Sequence, residues 1–172
     1  MAALARSALR YSARHEAAAS DSFADHVIAG LGDSPKWVSA KYFYDAAGSD
    51  LFEQITRLPE YYPTRTELAI LRENACAMAA FIPLAAALVE FGAGSSRKAR
   101  ILIEAAPQVA AYVPVDISGE FLAQEAASVR RDVPGIAVLP VVADFTRDFD
   151  LRARCAGRLD ANAEDVIAQV FL

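Results

Sequence analysis

Two glycines and two carboxylates recur at places where a nucleoside could be held. Gly92 and Gly94 form a Gly-Ala-Gly turn after the apolar run Ala87-Leu88-Val89-Glu90-Phe91; Asp116 closes Tyr112-Val113-Pro114-Val115; Asp144 follows Val141-Val142-Ala143. Glycine lets a ligand come close to the backbone, and a carboxylate at the end of a second strand suits a ribose diol. A carboxylate beyond a third strand can accept from the exocyclic amine of adenine. A dinucleotide-binding turn wants a third glycine where this chain has Arg97, and the Gly-Lys-Ser/Thr of a phosphate loop is missing. His15 and His26 show no metal-ligand spacing with Cys76 and Cys155, which read as two reduced thiols.

These groups need a scaffold that brings strand ends together. Ala87–Phe91, Tyr112–Asp116 and Ile136–Val142 read as strands, separated by helical runs through Lys98–Ala105 and Phe121–Val129. Strand, helix, strand, helix, strand predicts an α/β fold with a parallel sheet and right-handed crossovers, in which ligands sit at the carboxyl ends of the strands. The first hundred residues read as helices and loops up to the first strand. Ser22 caps a helix carrying Phe23, Val27, Ile28 and Leu31; Ser49 caps another carrying Leu51, Phe52 and Ile55. Thr64-Arg65-Thr66-Glu67 has the spacing of a capping box ahead of Leu68, Leu71, Ala75, Met78 and Ile82.

Bulk properties narrow the class. The 172 residues are 55% hydrophobic and 23% charged, which suits one globular domain with a real core. A net charge of −5 provides no basic field for nucleic acid, and the apolar runs are too short to span a bilayer. Arg6, Arg10 and Arg14 lie in an Ala/Ser-rich extension over 1–21 that superficially suits a transit peptide; the reading adopted is an amphipathic extension of a cytoplasmic protein.

Longer motifs carry a resemblance. Lys41-Tyr42-Phe43-Tyr44-Asp45, Gly48-Ser49-Asp50-Leu51-Phe52 and the run Leu58-Pro59-Glu60-Tyr61-Tyr62-Pro63-Thr64-Arg65-Thr66-Glu67 resemble the N-terminal signature of the histidine-specific, S-adenosylmethionine-dependent methyltransferases. The likeness continues through Glu90–Lys98, Tyr112–Asp116 and Val141–Phe145. It implies a class I methyltransferase (Rossmann-like) sheet, S-adenosyl-L-methionine as cofactor, and trimethylation of the histidine α-amine to hercynine on the route to ergothioneine. Residue by residue, it assigns cofactor contacts to Gly92, Lys98, Asp116, Asp144 and Phe145, with Gly94 shaping the turn. It assigns substrate contacts to Tyr61, and to Tyr44 near the reacting amine.

The resemblance covers residues 22–150. Beyond Asp150 a fourth strand and a Gly-Ser-x-x-Gly-Asn loop are expected, and 151–172 read instead as an unrelated or frameshifted tail. The expectation is thus an incomplete sheet of the first three strands, with Ala87–Phe91 an exposed edge open to self-association. Val166, Ile167, Val170, Phe171 and Leu172 offer a replacement strand or helix for that edge. Such a chain would be inactive by itself. Two other readings stay open: a non-catalytic S-adenosylmethionine-binding fragment, and a fragment of an NAD-binding oxidoreductase.

Overall fold

The computed structural model describes residues 22–155, 157 and 158, and the backbone strand Ile167–Val170. The extension over 1–21 lies outside the described residues. The chain divides into two compact units, Met1–Tyr44 and Asp45–Leu172.

In the first unit, helix α1 (Phe23–Gly32) starts where expected: Ser22 Oγ accepts from the Asp25 amide at 3.1 Å. A 3-10 turn, Ala40–Phe43, follows. Gly30 allows the chain to fold back, since a Cβ there would lie 2.2 Å from the Trp37 carbonyl oxygen. The Trp37 amide donates to Gly30 O at 3.0 Å, and its indole Nε1 to Asp33 at 3.1 Å.

The second unit opens with α2 (Ala46–Ile55) and α3 (Pro63–Ala79). Two predicted caps are corrected here. Asp45, not Ser49, caps α2, its carboxylate accepting from the Gly48 amide at 2.7 Å; Ser49 is buried inside the helix. The helix start is set by the first side chain able to reach a free amide three residues on, and Asp45 does so earlier. Helix α3 begins one residue before Thr64, at Pro63, a residue suited to the first helical position, and has no side-chain cap. Glu67 therefore makes no capping box and reaches Lys98 instead, at 3.5 Å. The predicted apolar face of α3 is otherwise found: Leu68, Leu71 and Ala75 are buried, and Met78 and Ile82 pack against the core.

The sheet is parallel throughout. Strand β1 (Ala87–Phe91) pairs with β2 (Ala111–Asp116), in register Ala87 to Ala111 and Phe91 to Val115. Helices α4 (Arg97–Ala105) and α5 (Gly119–Asp132) make the crossovers. The predicted third strand is two short pieces on β2, β3 (Ala137–Val138) and β4 (Val141–Val142). Pro140 interrupts them because it brings no ladder donor.

After α6 (Leu151–Cys155) comes β5 (Ile167–Val170), which pairs parallel with β1 from Ala87 through Glu90. The expectation of three strands with an open β1 edge is corrected: the order is β3-β2-β1-β5, with β4 also on β2, and β1 is flanked on both sides. Of the strand or helix that the apolar residues of the tail offered for this edge, the strand is found, over Ile167–Val170. What decides it is the paired edge itself, which gives β1 partners for its backbone groups on both sides.

Side chains alternate across the sheet. Leu88, Tyr112 and Val138 meet Ala99, Leu102 and Ile103 of α4 and Ala126 and Val129 of α5. On the opposite face Val89, Val113 and Val141 pack with Cys155, and Phe149 and Leu151 lie against them. Among the described residues, no helix is long and apolar enough to cross a membrane.

Candidate functional site: a cofactor cleft at the strand ends

The carboxyl ends of β1, β2 and β4 gather the three groups first singled out in the sequence. Directly after β1 the chain turns at Gly92 with φ +72°, a conformation that side-chain-bearing residues rarely adopt. The Gly92 and Ala93 amides donate to Val115 O at 2.9 and 3.1 Å, and the Gly94 amide to Gly92 O at 2.8 Å. The turn is therefore pinned to the end of β2. A Cβ built on Gly94 meets nothing within 4 Å, so the chain leaves open space there.

Asp116, at the end of β2, is half-buried. Its Oδ1 accepts from the Ser118 amide at 2.8 Å, and burial pushes its carboxyl above the ordinary value. Asp144 follows β4; its Oδ1 accepts from the Thr146 amide at 3.1 Å and from the Thr146 hydroxyl. Phe145 is partly exposed and lies over the turn, its ring 3.6 Å from where a Gly92 Cβ would be. Phe91 packs against Phe145 and Phe149, with centroids 5.7 and 6.2 Å apart. This three-ring wall is more than the sequence predicts; Phe149, four residues after Phe145, is the signal that points to it.

Beneath the turn, Glu90 is 1% exposed and accepts from the Tyr112 hydroxyl. Burial, above all, raises its carboxyl to about 7, against the lowering influence of that bond and of Lys98. Burial, then the Glu90 charge, also drives the Tyr112 phenol strongly upward.

Lys98 is placed differently from Gly92, Asp116 and Asp144: its ammonium turns to Glu67 and acts on Glu90 through charge. Tyr61 is half-buried, its ring edge-on to Phe52 at 6.0 Å. Its backbone position is fixed by Arg65, whose guanidinium collects the carbonyls of Leu58, Pro59 and Tyr61. Three carbonyls on one cation tie the Leu58–Tyr61 turn to the start of α3, a role for Arg65 that its position in the sequence does not announce. Tyr44 belongs to the first unit, where it follows the 3-10 turn and is exposed.

The acceptor set fits a nucleoside, and the bonded amides of the turn favour one without a pyrophosphate. Two strand-end carboxylates can accept from a diol and an amine, and an open glycine turn and aromatic wall can face a base. A pyrophosphate would instead need free amides at the turn and helix end. Here the Gly92, Ala93 and Gly94 amides are bonded within the protein, and the Ser96 amide donates to Glu125 at 3.0 Å. Among the described residues no cluster of ligating side chains could hold a metal ion.

Comparison with known proteins agrees with this chemistry. The family model for histidine-specific, SAM-dependent methyltransferases matches residues 23–168, reaching into β5. The histidine N-alpha-methyltransferase of Mycolicibacterium smegmatis is 46% identical over 122 residues, covering 69% of this chain and 38% of that protein. Its counterpart from Mycobacterium tuberculosis is 42% identical with the same coverage. Ergothioneine biosynthesis protein 1 of Neurospora crassa is 40% identical over 100 residues, 56% of this chain and 11% of that protein. The chain thus spans 38% of the length of the two bacterial relatives. With its parallel sheet, its glycine turn and this match, the chain belongs to the family of histidine-specific, S-adenosylmethionine-dependent methyltransferases.

Proposed function

We propose that this chain carries the cofactor-holding part of an enzyme that methylates the α-amine of L-histidine, forming hercynine, and that by itself it binds S-adenosylmethionine without turning over. The observation that supports it most is the convergence of the Gly92 turn, Asp116 and Asp144 at one end of the sheet. S-Adenosylmethionine supplies a methyl group on a sulfonium, so the protein's task is mainly to orient an uncharged amine toward it.

In this reading Asp116 accepts from the ribose hydroxyls and Asp144 from the adenine amine, while Phe145 walls the base. Gly92 and Gly94 allow close approach. Lys98 contributes by its charge under the turn, held between Glu67 and Glu90. Tyr61 holds the amino acid through its hydroxyl, and its ring excludes water. Tyr44 is assigned to the reacting amine on the resemblance alone. The expected setting is the cytoplasm, with a small amine as partner and no nucleic acid.

Turnover by these 172 residues alone is expected to fail, since they span 38% of the length of the two bacterial relatives. Incubating the purified 172-residue chain with S-adenosylmethionine and L-histidine should give no mono-, di- or trimethylhistidine above the enzyme-free blank by mass spectrometry. Any enzyme-dependent methylhistidine would show that these residues suffice for catalysis and would overturn the claim of inactivity.

A further inference from the structure

Ser96 ends the cofactor turn and stands at the N-cap of α4, yet it does not cap its own helix. It is 3% exposed, and both its amide and its hydroxyl donate to a single carboxylate oxygen, Glu125 Oε2, at 3.0 and 2.7 Å. Glu125 lies 29 residues later, in the middle of α5. One turn into α4, Arg100 donates from Nε to Ser96 Oγ at 3.0 Å. Its two terminal nitrogens reach Ser128 at 3.0 Å and Asp132 at 2.6 Å. Glu125, Ser128 and Asp132 fall at i, i+3 and i+7, so one stripe of α5 holds the start of α4.

We propose that Glu125 is a positioning residue for the cofactor turn, supplying from α5 the anion that the N-terminus of α4 would otherwise take from a ligand. A carboxylate at a helix N-terminus is favoured by the exposed amides and the helix dipole. Accepting two hydrogen bonds from the last residue of the turn, it fixes the path from Gly92 to Arg97 before any ligand arrives. Preorganisation of this kind appears as affinity, because the ligand no longer bears the cost of ordering the loop. Farther down the same stripe, Asp132 joins α4 to α5 through Arg100, bonding no residue of the turn itself, and serves as the structural control.

This role rests on the cofactor reading proposed for the cleft, and the experiment separates the two. S-Adenosylhomocysteine is titrated calorimetrically into the full chain and into Glu125→Ala, Glu125→Gln and Asp132→Ala, with thermal melts of each. Glu125→Ala should bind about tenfold more weakly, the size expected when two hydrogen bonds to a charged group are lost but other contacts stay. Glu125→Gln, whose amide oxygen can still accept both bonds, should recover to within about threefold of wild type. Asp132→Ala should melt lower yet bind as wild type does.

If wild type binds and Glu125→Ala binds equally well, the positioning role is wrong. It is equally wrong if Asp132→Ala weakens binding as much as Glu125→Ala. If folded wild type does not bind at all, it is the cofactor reading that fails, and the positioning role with it. Should Glu125→Ala not fold, Glu125→Gln and Ser96→Ala decide: near-wild-type binding in the first with several-fold weakening in the second supports the role, and equal binding in both overturns it.

Discussion

Replacing Asp116 with alanine is expected to weaken S-adenosylhomocysteine binding by about 10- to 100-fold, the range for losing hydrogen bonds to a charged acceptor. The fold should not weaken in parallel. Asp116 gives up its bonds from the neighbouring Ser118 amide, at 2.8 Å, and Ile117 amide, while burial outweighs them and raises its carboxyl above the ordinary value. Removing a charge that burial disfavours offsets the lost bonds, so the melting temperature should stay level or rise by a few degrees. This opposite movement of affinity and stability is the mark of a group retained for binding. Calorimetric titration beside a thermal melt reads both quantities. Unchanged affinity in the variant would remove Asp116 from the site.

The second large effect concerns pH. Glu90 is buried under the turn, and its carboxyl is raised from 4.5 to about 7. Between those values the folded chain keeps a proton that the unfolded chain has released. Stability from this group is therefore complete below about 4.5, falls as pH rises, and is gone above about 7. A shift of that size corresponds to at most about 3 kcal/mol. Glu90→Gln keeps an acceptor for the Tyr112 hydroxyl but cannot ionise. Urea denaturation at pH 5, 6, 7 and 8 should show wild type losing stability relative to Glu90→Gln across this range, with the variant the more stable at pH 8. Parallel pH dependence in the two proteins would show that Glu90 ionises in the folded state as it does in the unfolded one.

Much of this architecture is legible in the residues, for reasons that are local. Ser22 is close in sequence to the amide it caps, and β1 and β2 are apolar runs bounded by a glycine turn and by Asp116. The cofactor turn is legible because φ +72° at position 92 favours glycine, and the strand-end aspartates follow from the topology. What escapes depends on partners far away in the chain. Glu125 looks like any surface carboxylate of a helix until α5 is laid against Ser96. Glu67 has the spacing of a capping box, but its partner is Lys98, 31 residues on. The split at Pro140 requires knowing which amides the β2 ladder uses. Strand β5 is legible only as a choice between strand and helix, because the edge of β1 that it meets decides between them.

Above all, the strand-end cleft is expected to take S-adenosylmethionine rather than a dinucleotide. The direct measurement is calorimetric titration of the folded 172-residue chain with S-adenosylhomocysteine and, separately, with NAD. The predicted result is one saturable site for S-adenosylhomocysteine and no measurable heat with NAD, whose pyrophosphate would find the Gly92, Ala93, Gly94 and Ser96 amides already bonded and the Glu125 carboxylate beside them. A folded chain that binds NAD more tightly, or binds neither compound, would contradict it.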